Sequence, residues 1–321
     1  MGLTIGVDIG GTKIAAGVVD DQGKILARAR RPTPSDNPGK VEDVIADAIR
    51  ELVAGYEVEA VGLGAAGFVG DDRSTILFAP NLAWRHEPLR EAIERRLALP
   101  AVIENDANAA AWAEVRFGAA AGESNVVVVT VGTGIGGGIV VNGQLLRGRY
   151  GVAAEIGHLS MVPDGRRCGC GNDGCWEQYA SGRALVAEAR AIATRAPQSA
   201  ERMLELAGGR PGAIDGPVVT TAAREGDDAA LEAFRIVGTW LGRGIADLAA
   251  VLDPAVFVLA GGVSSAGDLL REPAWQEYLA RLTGRGYRPN ADLRVARLGG
   301  DEAGIIGAAD LARQPIFEPP P

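Results

Sequence analysis

The chain has 321 residues, of which 47% are hydrophobic, and its formal net charge is −9. The acidic balance argues against nucleic acid or an anionic membrane as the main partner, and no apolar run of about 18 residues predicts a transmembrane helix. Residues 1–11 lack the basic and long apolar regions of a signal peptide, and Gly6 breaks the myristoylation pattern, so we expect a cytosolic protein.

The first third of the chain starts with three short apolar runs separated by turns, a pattern typical of antiparallel strands. Amphipathic helices and buried strands then alternate, and this alternation predicts an α/β fold. The elements predicted in this part are strands at 3–9, 14–20, 24–30, 59–67 and 101–106, and helices at 41–54, 89–100 and 107–118.

A similar pattern begins again near residue 125, where a buried strand, a Gly/Thr-rich turn and a returning strand repeat the order found at the start of the chain. The repeat predicts two similar domains around a cleft. The elements predicted here are strands at 125–134, 135–146 and 291–299, helices at 181–195, 228–251 and 301–312, a strand, turn and helix at 254–270, and a frayed tail at 318–321.

The domain division follows from this repeat, because roughly 100–200 residues make a domain. We predict a smaller N-terminal α/β domain made of residues 1–108 and 300–321, the last helix folding back onto it. A larger α/β domain, residues 109–299, would contain all three cysteines of the chain.

Two glycine-rich turns follow buried strands, in D-I-G-G-T-K at 8–13 and in G-T-G-I-G-G-G at 132–138. The first is not a P-loop and the second is not a dinucleotide fingerprint, because a strand rather than a helix follows each turn. A glycine-rich hairpin turn would explain either one alone. The pair favours a phosphate cradle, because glycines let backbone N–H groups face an anion and the threonines add hydroxyl donors.

Asp8 lies at the mouth of the first turn, where a carboxylate suits the shell of a Mg²⁺ ion bound to phosphates. A third turn, at 261–262, precedes a helix. The predicted nucleotide-binding residues are Asp8, Gly10, Gly11, Thr12, Lys13, Thr133, Gly134, Gly261 and Gly262. This set resembles the actin/hexokinase-like (ribonuclease H-like) phosphotransferases, which implies a two-domain fold with a triphosphate in the cleft.

The three cysteines lie close together with one of the two histidines. The spacing of His158, Cys168, Cys170 and Cys175 is H-x9-C-x-C-x4-C, and glycines between the cysteines allow a short loop to wrap around an ion. One histidine and three cysteines are a tetrahedral Zn²⁺ donor set, and since all four positions are filled by protein, we predict a structural zinc. The alternative is three independent buried thiols.

Two acidic residues are tethered to this loop. Glu155 lies three residues before His158, and Glu177 lies two residues after Cys175. Zinc would therefore position Glu155, His158 and Glu177 as a polar wall, and carboxylates that accept paired hydroxyl hydrogen bonds suit a sugar. A solvated surface acid is the alternative for each glutamate taken alone.

The motifs E-I-G-H at 155–158 and C-G-C-G-N-D-G-C-W-E at 168–177 resemble the zinc signature of the ROK sugar kinases. D-I-G-G-T-K at 8–13, E-N-D-A-N-A at 104–109 and the later glycine turns occur in that family's order, so the resemblance covers nearly the whole chain. The chain is most similar to the family's bacterial glucokinases, which implies ATP-dependent phosphorylation of the glucose 6-hydroxyl with zinc and Mg²⁺ as metals.

The resemblance also implies roles for single residues. Asp106 matches the catalytic base, and Asn105 with Asp106 would hold the 4- and 6-hydroxyl side of the sugar. Gly67 would add a backbone contact, although Ala66 stands where many members have proline. The implied substrate-binding residues are Gly67, Asn105, Asp106, Glu155, His158 and Glu177. For Asp106 the residues alone equally allow a helix N-cap for 107–118.

Other functions stay open at this point. The chain fits a ROK kinase for another hexose, such as N-acetylmannosamine, fructose or allose, and the phosphate donor is ATP or polyphosphate. A non-catalytic sugar sensor and a zinc-binding interaction module are further alternatives. The first leaves Asp106 and the phosphate turns without a use, and the second leaves the glycine turns unexplained. The resemblance implies a homo-oligomer, either a dimer or a tetramer.

Overall fold

The computed structural model describes residues 2–34 and 37–314, so the predicted frayed tail at 318–321 lies outside the described residues. The strands are β1 (Leu3–Ile9), β2 (Lys13–Val19), β3 (Ile25–Pro32), β4 (Val58–Ala65), β5 (Phe68–Val69), β6 (Ile76–Phe78), β7 (Arg85–Glu87), β8 (Ala101–Asn105), β9 (Val126–Val131), β10 (Ile135–Val141), β11 (Gln144–Leu145), β12 (Val256–Ala260) and β13 (Asp292–Val295). The α-helices are α1 (Pro38–Val53), α2 (Leu89–Leu97), α3 (Asp106–Phe117), α4 (Glu177–Ala180), α5 (Gly182–Arg195), α6 (Glu201–Leu206), α7 (Gly216–Arg224), α8 (Asp228–Leu252), α9 (Asp268–Arg281) and α10 (Glu302–Leu311).

The first sheet has the strand order β3-β2-β1-β4-β8. Strands β1, β2 and β3 pair antiparallel, as the three apolar runs predict, and β1, β4 and β8 run parallel. The carboxyl ends of parallel strands lie at one edge of a sheet. The register accordingly places Asp8 beside Gly64, and Gly64 beside Glu104.

Both faces of the first sheet are covered. On one face α1 and α2 bury apolar side chains against the strands. On the other face Ala113 of α3 and Ile305 of α10 pack against β2. A Cβ on Gly6 or on Gly62 would lie 1.8 Å from a backbone oxygen of α10, so that helix rests directly on the strands and glycine is required beneath it. The last helix therefore packs on the first sheet.

The second sheet has the order β11-β10-β9-β12-β13, which matches the first sheet strand for strand and bears out the predicted repeat. Strands β9, β12 and β13 are parallel, and β10 and β11 are antiparallel. A small third sheet, β5-β6-β7, was not predicted. Its strands have only two or three residues, too few for an alternating pattern to show. His86, the histidine outside the cysteine cluster, is exposed on β7.

The predicted helix after the strand at 254–260 begins later than expected. A 3₁₀ turn spans Gly262–Ala266, and α9 starts only at Asp268. The hydroxyls of Ser264 and Ser265 donate hydrogen bonds of 2.7 Å to the carbonyls of Gly261 and Gly262. Such local bonds from side chain to backbone compete with α-helix formation, and they hold the glycine turn instead.

The described residues form two compact units. The first comprises described residues of Met1–Ser124, Gly138–Ala154 and Arg297–Pro321, and the second comprises Asn125–Gly137 and Glu155–Ala296. This division differs from the predicted boundary at residue 108, because α3 packs with α10 on the first sheet and so lies in the first unit. The sequence-based division into residues 1–108 with 300–321 and residues 109–299 stays a prediction. Within residues 2–34 and 37–314, no helix has the length and apolar character needed to cross a membrane.

Candidate functional site

The first glycine turn is closed by its own backbone. The Gly10 N–H donates to the Lys13 carbonyl oxygen at 2.9 Å. Thr33, just after β3, ties the turn from the side, since its N–H donates to the Thr12 oxygen at 3.1 Å and its hydroxyl to the Gly10 oxygen at 2.8 Å. The side chains of Thr12 and Lys13 are exposed at the turn. The loop is therefore rigid and presents polar groups outward, as a phosphate-binding turn requires.

Three carboxylates lie near this turn. Burial, followed by the negative charges of Asp106 and Asp301, raises the pKa of Asp8 to about 7, although Lys13 acts to lower it. Asp8 comes from β1, Asp106 starts α3, and Asp301 precedes α10. Carboxylates that disfavour one another's charge are stabilised by a cation, so the donor set around Asp8 fits the hard, oxygen-liganded Mg²⁺ ion.

Asp106 is the first residue of α3, and its carboxylate accepts a hydrogen bond of 2.9 Å from the Ala107 N–H. Burial raises its pKa. A carboxylate with raised proton affinity is a better general base near neutral pH. The N-cap alternative for Asp106 is wrong, because Asn105 caps the helix by accepting from the Asn108 N–H at 3.0 Å. Asp106 is thus the first residue of the helix and not its cap, and its carboxylate binds an N–H group of the first turn.

Asn105 and Gly67 are joined directly, because the Asn105 Nδ2 donates to the Gly67 carbonyl oxygen at 3.1 Å. A Cβ on Gly67 would lie 2.5 Å from the Phe78 carbonyl oxygen, so only glycine fits at this position without a shift of the backbone. The N–H of Ala66 donates to the Ile9 oxygen at 3.3 Å, a bond that proline at this position lacks. The structure therefore brings Gly67, Asn105 and Asp106 together at one edge of the first sheet.

Behind these residues lies an ion cluster that the sequence analysis missed. The Glu104 side chain is 1% exposed, and its Oε2 lies 2.9 Å from the Arg147 Nε and 3.6 Å from the Arg73 Nε. Its Oε1 accepts a bond of 3.1 Å from the Asn108 Nδ2. An acid inside the apolar strand A-V-I-E-N was the available signal, since a buried glutamate needs partners. The cluster supports the backbone from which Asn105 and Asp106 project.

In the second unit, the predicted metal ligands come together. The donor atoms of His158, Cys168, Cys170 and Cys175 all lie within 4.8 Å of one another. The Cys168 Sγ is 3.7 Å from the His158 Nδ1, and the sulfurs of Cys170 and Cys175 are 3.6 Å apart. Zn–S bonds of ~2.3 Å in a tetrahedron separate two sulfurs by about 3.7 Å, so the spacing fits zinc.

Glycines make this loop possible. Gly174 has a φ of 75°, and a Cβ on it would lie 1.7 Å from the Val162 carbonyl oxygen. Burial, together with the neighbouring thiols of Cys170 and Cys168, raises the pKa of Cys175 to about 12. Three thiolates cannot form side by side without a compensating cation, and a divalent ion supplies that charge. The donor chemistry therefore fits a metal ion rather than three independent thiols.

Glu177 is buried at the start of α4, beside the metal ligands. Its Oε1 lies 3.1 Å from the Cys168 Sγ and accepts a bond of 3.2 Å from the Gln178 Nε2. Arg183 lies 3.7 Å from the same oxygen. Glu155 is exposed immediately before the 3₁₀ turn that carries His158. The loop thus holds the carboxylate of Glu177 from several sides.

The second glycine turn packs at the start of α5. The Gly182 N–H donates to the Gly132 oxygen at 2.8 Å, and the Arg183 Nε donates to the Thr133 oxygen at 3.0 Å. The third turn is close by, since Gly261 has a φ of 85° and a Cβ on it would lie 2.6 Å from the Val131 oxygen. Arg183, which touches both the turn and Glu177, is a further residue that the sequence analysis missed.

Comparison with known proteins shows which family the sequence matches. The family model of the ROK family matches residues 4–315. The glucokinase of Streptomyces coelicolor is 53% identical over 315 residues, 98% of this chain and 99% of the relative. An Escherichia coli N-acetylmannosamine kinase is 36% identical over 314 residues, 97% of this chain and 98% of the relative.

Among solved structures, the chain matches a ROK family glucokinase from Streptomyces griseus in complex with glucose and AMPPNP. The TM-score is 0.89 at 53% identity, and the match covers 98% of this chain and 100% of that chain. The strand order of the two sheets and this match agree on an actin/hexokinase-like, ribonuclease H-like fold.

Proposed function

Because the chain belongs to the ROK family, we propose that it transfers the terminal phosphoryl group of ATP to the 6-hydroxyl of D-glucose and forms glucose 6-phosphate. The observation that supports this most strongly is the placement of Asp106. Its half-buried carboxylate has a raised pKa and lies beside Asn105, in a chain 53% identical to a glucokinase. We further propose the cytosol as its location, where clustered cysteines serve as metal ligands.

Phosphoryl transfer requires positioning and charge stabilisation more than covalent chemistry. In the proposed reaction Asp106 accepts the proton of the attacking 6-hydroxyl. Asn105 and Asp106 bind the 4- and 6-hydroxyl side of the sugar, and the Gly67 carbonyl, which holds the Asn105 amide at 3.1 Å, fixes that amide. General-base assistance of this kind typically contributes ~10²–10⁴-fold to the rate.

The remaining hydroxyls are proposed to bind Glu155, His158 and Glu177. Zinc held by His158, Cys168, Cys170 and Cys175 would be structural, because the protein fills four donor positions. The Nδ1 of His158 faces the Cys168 sulfur at 3.7 Å, which leaves Nε2 for a sugar hydroxyl. The four residues that would hold zinc thereby keep this wall rigid, and a zinc bound there would take no part in bond breaking.

ATP is proposed to bind the three glycine turns. The proposed contacts are Gly10, Gly11, Thr12, Lys13, Thr133, Gly134, Gly261 and Gly262. When bound with ATP, Mg²⁺ neutralises phosphate charge, and Asp8 would hold it directly or through water. The rigid backbone of the first turn and the positive φ of Gly261 support these assignments.

A kinase for N-acetylmannosamine is the second candidate, because an Escherichia coli kinase for that sugar is 36% identical over nearly the whole chain. The glucokinase relatives are more similar, at 53%, which favours glucose. A homo-oligomer, a dimer or a tetramer, is proposed as the assembly and is tested by light scattering of the purified protein.

A coupled assay of ADP formation across a panel of hexoses tests the proposal. The panel contains glucose, N-acetylmannosamine, fructose and allose, each with ATP, and parallel reactions with polyphosphate are followed through sugar phosphate. We expect the highest kcat/KM for glucose with ATP. A higher kcat/KM for another hexose would identify that hexose as the substrate in place of glucose. Absence of turnover with every sugar would favour a non-catalytic sugar sensor.

A further inference from the structure

Asp301, just before α10, is a charged residue that the sequence analysis did not select. Its side chain is only 6% exposed, and its carboxylate forms ion pairs with Lys13 of β2 and with Arg30 of β3. Burial acts to raise its pKa, but Lys13 and Arg30 hold the pKa of Asp301 below its usual range. A buried carboxylate removed from water needs such partners, so its ionised state depends on them.

Lys13 is the residue on which the first glycine turn closes. Its carbonyl oxygen accepts the Gly10 N–H at 2.9 Å, and Thr33 holds the neighbouring backbone. The long lysine side chain would otherwise sample many rotamers, and its pairing with Asp301 restricts it. The backbone of the turn is thus fixed by Thr33, and its charged side chain is fixed by Asp301.

We infer that Asp301 is a positioning residue of the nucleotide-binding turn: it holds Lys13, and through Lys13 the turn at 10–13, and it places a negative charge beside Asp8. The inference rests on the proposed function only in assigning ATP phosphates to this turn. Asp301 itself touches Lys13 and Arg30, and it acts on the nucleotide through them.

The first turn of α10 also brings Asp301 close to Asp8. A Cβ on Gly304 would lie 2.9 Å from the Asp8 Cγ, so the Asp8 carboxyl group packs against that turn. Asp301 and Gly304, three residues apart, lie on the same side of the helix. The charged groups that face Asp8 are Asp106 from α3, Asp301, and Lys13 from β2. The charges of Asp106 and Asp301 raise the pKa of Asp8, and the charge of Lys13 lowers it. Removing the charge of Asp301 should therefore lower the pKa of Asp8.

The chain offers a closely matched control. Glu302 follows Asp301 and forms its own ion pair with Arg28, two residues before Arg30 on β3, but it is exposed and has no ion pair with Lys13 among the described residues. We therefore compare Asp301→Asn with Glu302→Gln. For Asp301→Asn we expect the KM for ATP to rise about tenfold with the KM for glucose unchanged. The acidic limb of kcat/KM for ATP should also move to lower pH, and Glu302→Gln should change neither.

A double-mutant cycle tests the route through Lys13. If Asp301 acts through Lys13, the variant that combines Lys13→Met with Asp301→Asn should bind ATP no more weakly than Lys13→Met alone. Additive losses would overturn the inference, as would an unchanged KM and pH profile for Asp301→Asn. Should Asp301→Asn fail to fold, Arg30→Gln is compared with Arg28→Gln. Equal KM values for ATP in those two variants would also overturn it.

Direct binding separates this inference from the proposed function. Calorimetry with Mg-ADP measures nucleotide affinity in the absence of sugar and of turnover. A wild-type protein that phosphorylates no hexose would contradict the proposed function, whereas weaker Mg-ADP binding by Asp301→Asn than by Glu302→Gln would still support the inference. Equal Mg-ADP affinities of these two variants would overturn it, whatever the activity of the wild type.

Discussion

The Oε1 of Glu177 lies 3.1 Å from the Sγ of Cys168, so a residue of the proposed sugar wall touches a residue of the proposed zinc site. The contact offers a route by which a metal held by Cys168 would affect glucose binding through Glu177. A ligand sulfur fixed by zinc fixes the position of the carboxylate beside it, and groups around a metal site tune function as strongly as the ligands themselves.

Loss of the metal should therefore weaken glucose binding. We expect about one zinc per wild-type chain by elemental analysis, and for Cys170→Ser a loss of zinc with an increase of about tenfold or more in the KM for glucose. The KM for ATP should stay unchanged. Asp173→Asn, an exposed change in the same loop, is the control and should retain zinc. A zinc-free enzyme with the wild-type KM for glucose would refute the link.

Gly134 lies against the other oxygen of the same carboxylate. A Cβ at this position would be 2.3 Å from the Glu177 Oε2, and Glu177 is held by Cys168 and Gln178, so Gly134→Ala should displace it. A displacement of about 1 Å can cost up to about 100-fold, and we expect kcat/KM for glucose to fall by about 10- to 100-fold.

Gly132→Ala is the control for this substitution, because a Cβ there has no heavy atom within 4 Å. It should leave the kinetics near those of the wild type. A Gly134→Ala variant that changes only the KM for ATP would show that the effect passes through the glycine turn and not through Glu177.

Glu104 should contribute to stability more than to chemistry. Glu104→Gln leaves Arg73 and Arg147 partly buried without their carboxylate, and breaking a buried ion pair from one side costs about 3–5 kcal/mol. Urea unfolding measures the loss. Asp71→Asn removes the acid of an exposed pair with Arg149 and should change the free energy of unfolding by less than about 1 kcal/mol. Equal effects of the two variants would show that the cluster is not a special support.

The pKa of Asp8 predicts a pH-dependent cost to the fold. The pKa of Asp8 in the folded protein is about 7, above its ordinary value of 3.8, so the folded protein favours the protonated carboxyl group. The stabilisation of the folded state by this proton is fully present below pH 3.8 and is lost as the pH rises through 7. Asp8→Asn should therefore have a larger free energy of unfolding than the wild type at pH 8, by at most ~4 kcal/mol, and so a higher unfolding temperature, and it should match the wild type near pH 4.

Asp301→Asn should change the free energy of unfolding in the opposite direction and destabilise the protein at neutral pH. Burial acts to raise the pKa of Asp301, but Lys13 and Arg30 hold it below its usual range, so the stabilisation is present at neutral pH and is lost as the pH falls. Calorimetric scans without ligands measure both variants. Parallel pH profiles for Asp8→Asn and the wild type would contradict this account of Asp8.

The sequence predicted the long elements and the clustering of the four predicted metal ligands, and for physical reasons. The helix α8 has enough residues to show its period, β9 is a continuous apolar run, and the four predicted metal ligands lie within 18 consecutive residues. The ion pairs of Asp301 with Lys13 and of Glu104 with Arg147 join residues far apart in the chain. Neither periodicity nor spacing reveals such contacts.

The N-cap of α3 shows a finer limit. Asn105 and Asp106 are both good capping residues, so composition cannot decide between them. The structure gives the cap to Asn105 through its bond with the Asn108 N–H, and Asp106 follows as the first residue of the helix.

The rate of Asp106→Asn tests the central proposal most directly. Asparagine keeps the shape of the side chain and removes its ability to accept a proton, so kcat for glucose phosphorylation should fall by ~10²–10⁴-fold. Glucose affinity, measured by calorimetry without ATP, should stay close to that of the wild type. An Asp106→Asn enzyme that turns over glucose at nearly the wild-type rate would contradict the role of Asp106 as the base.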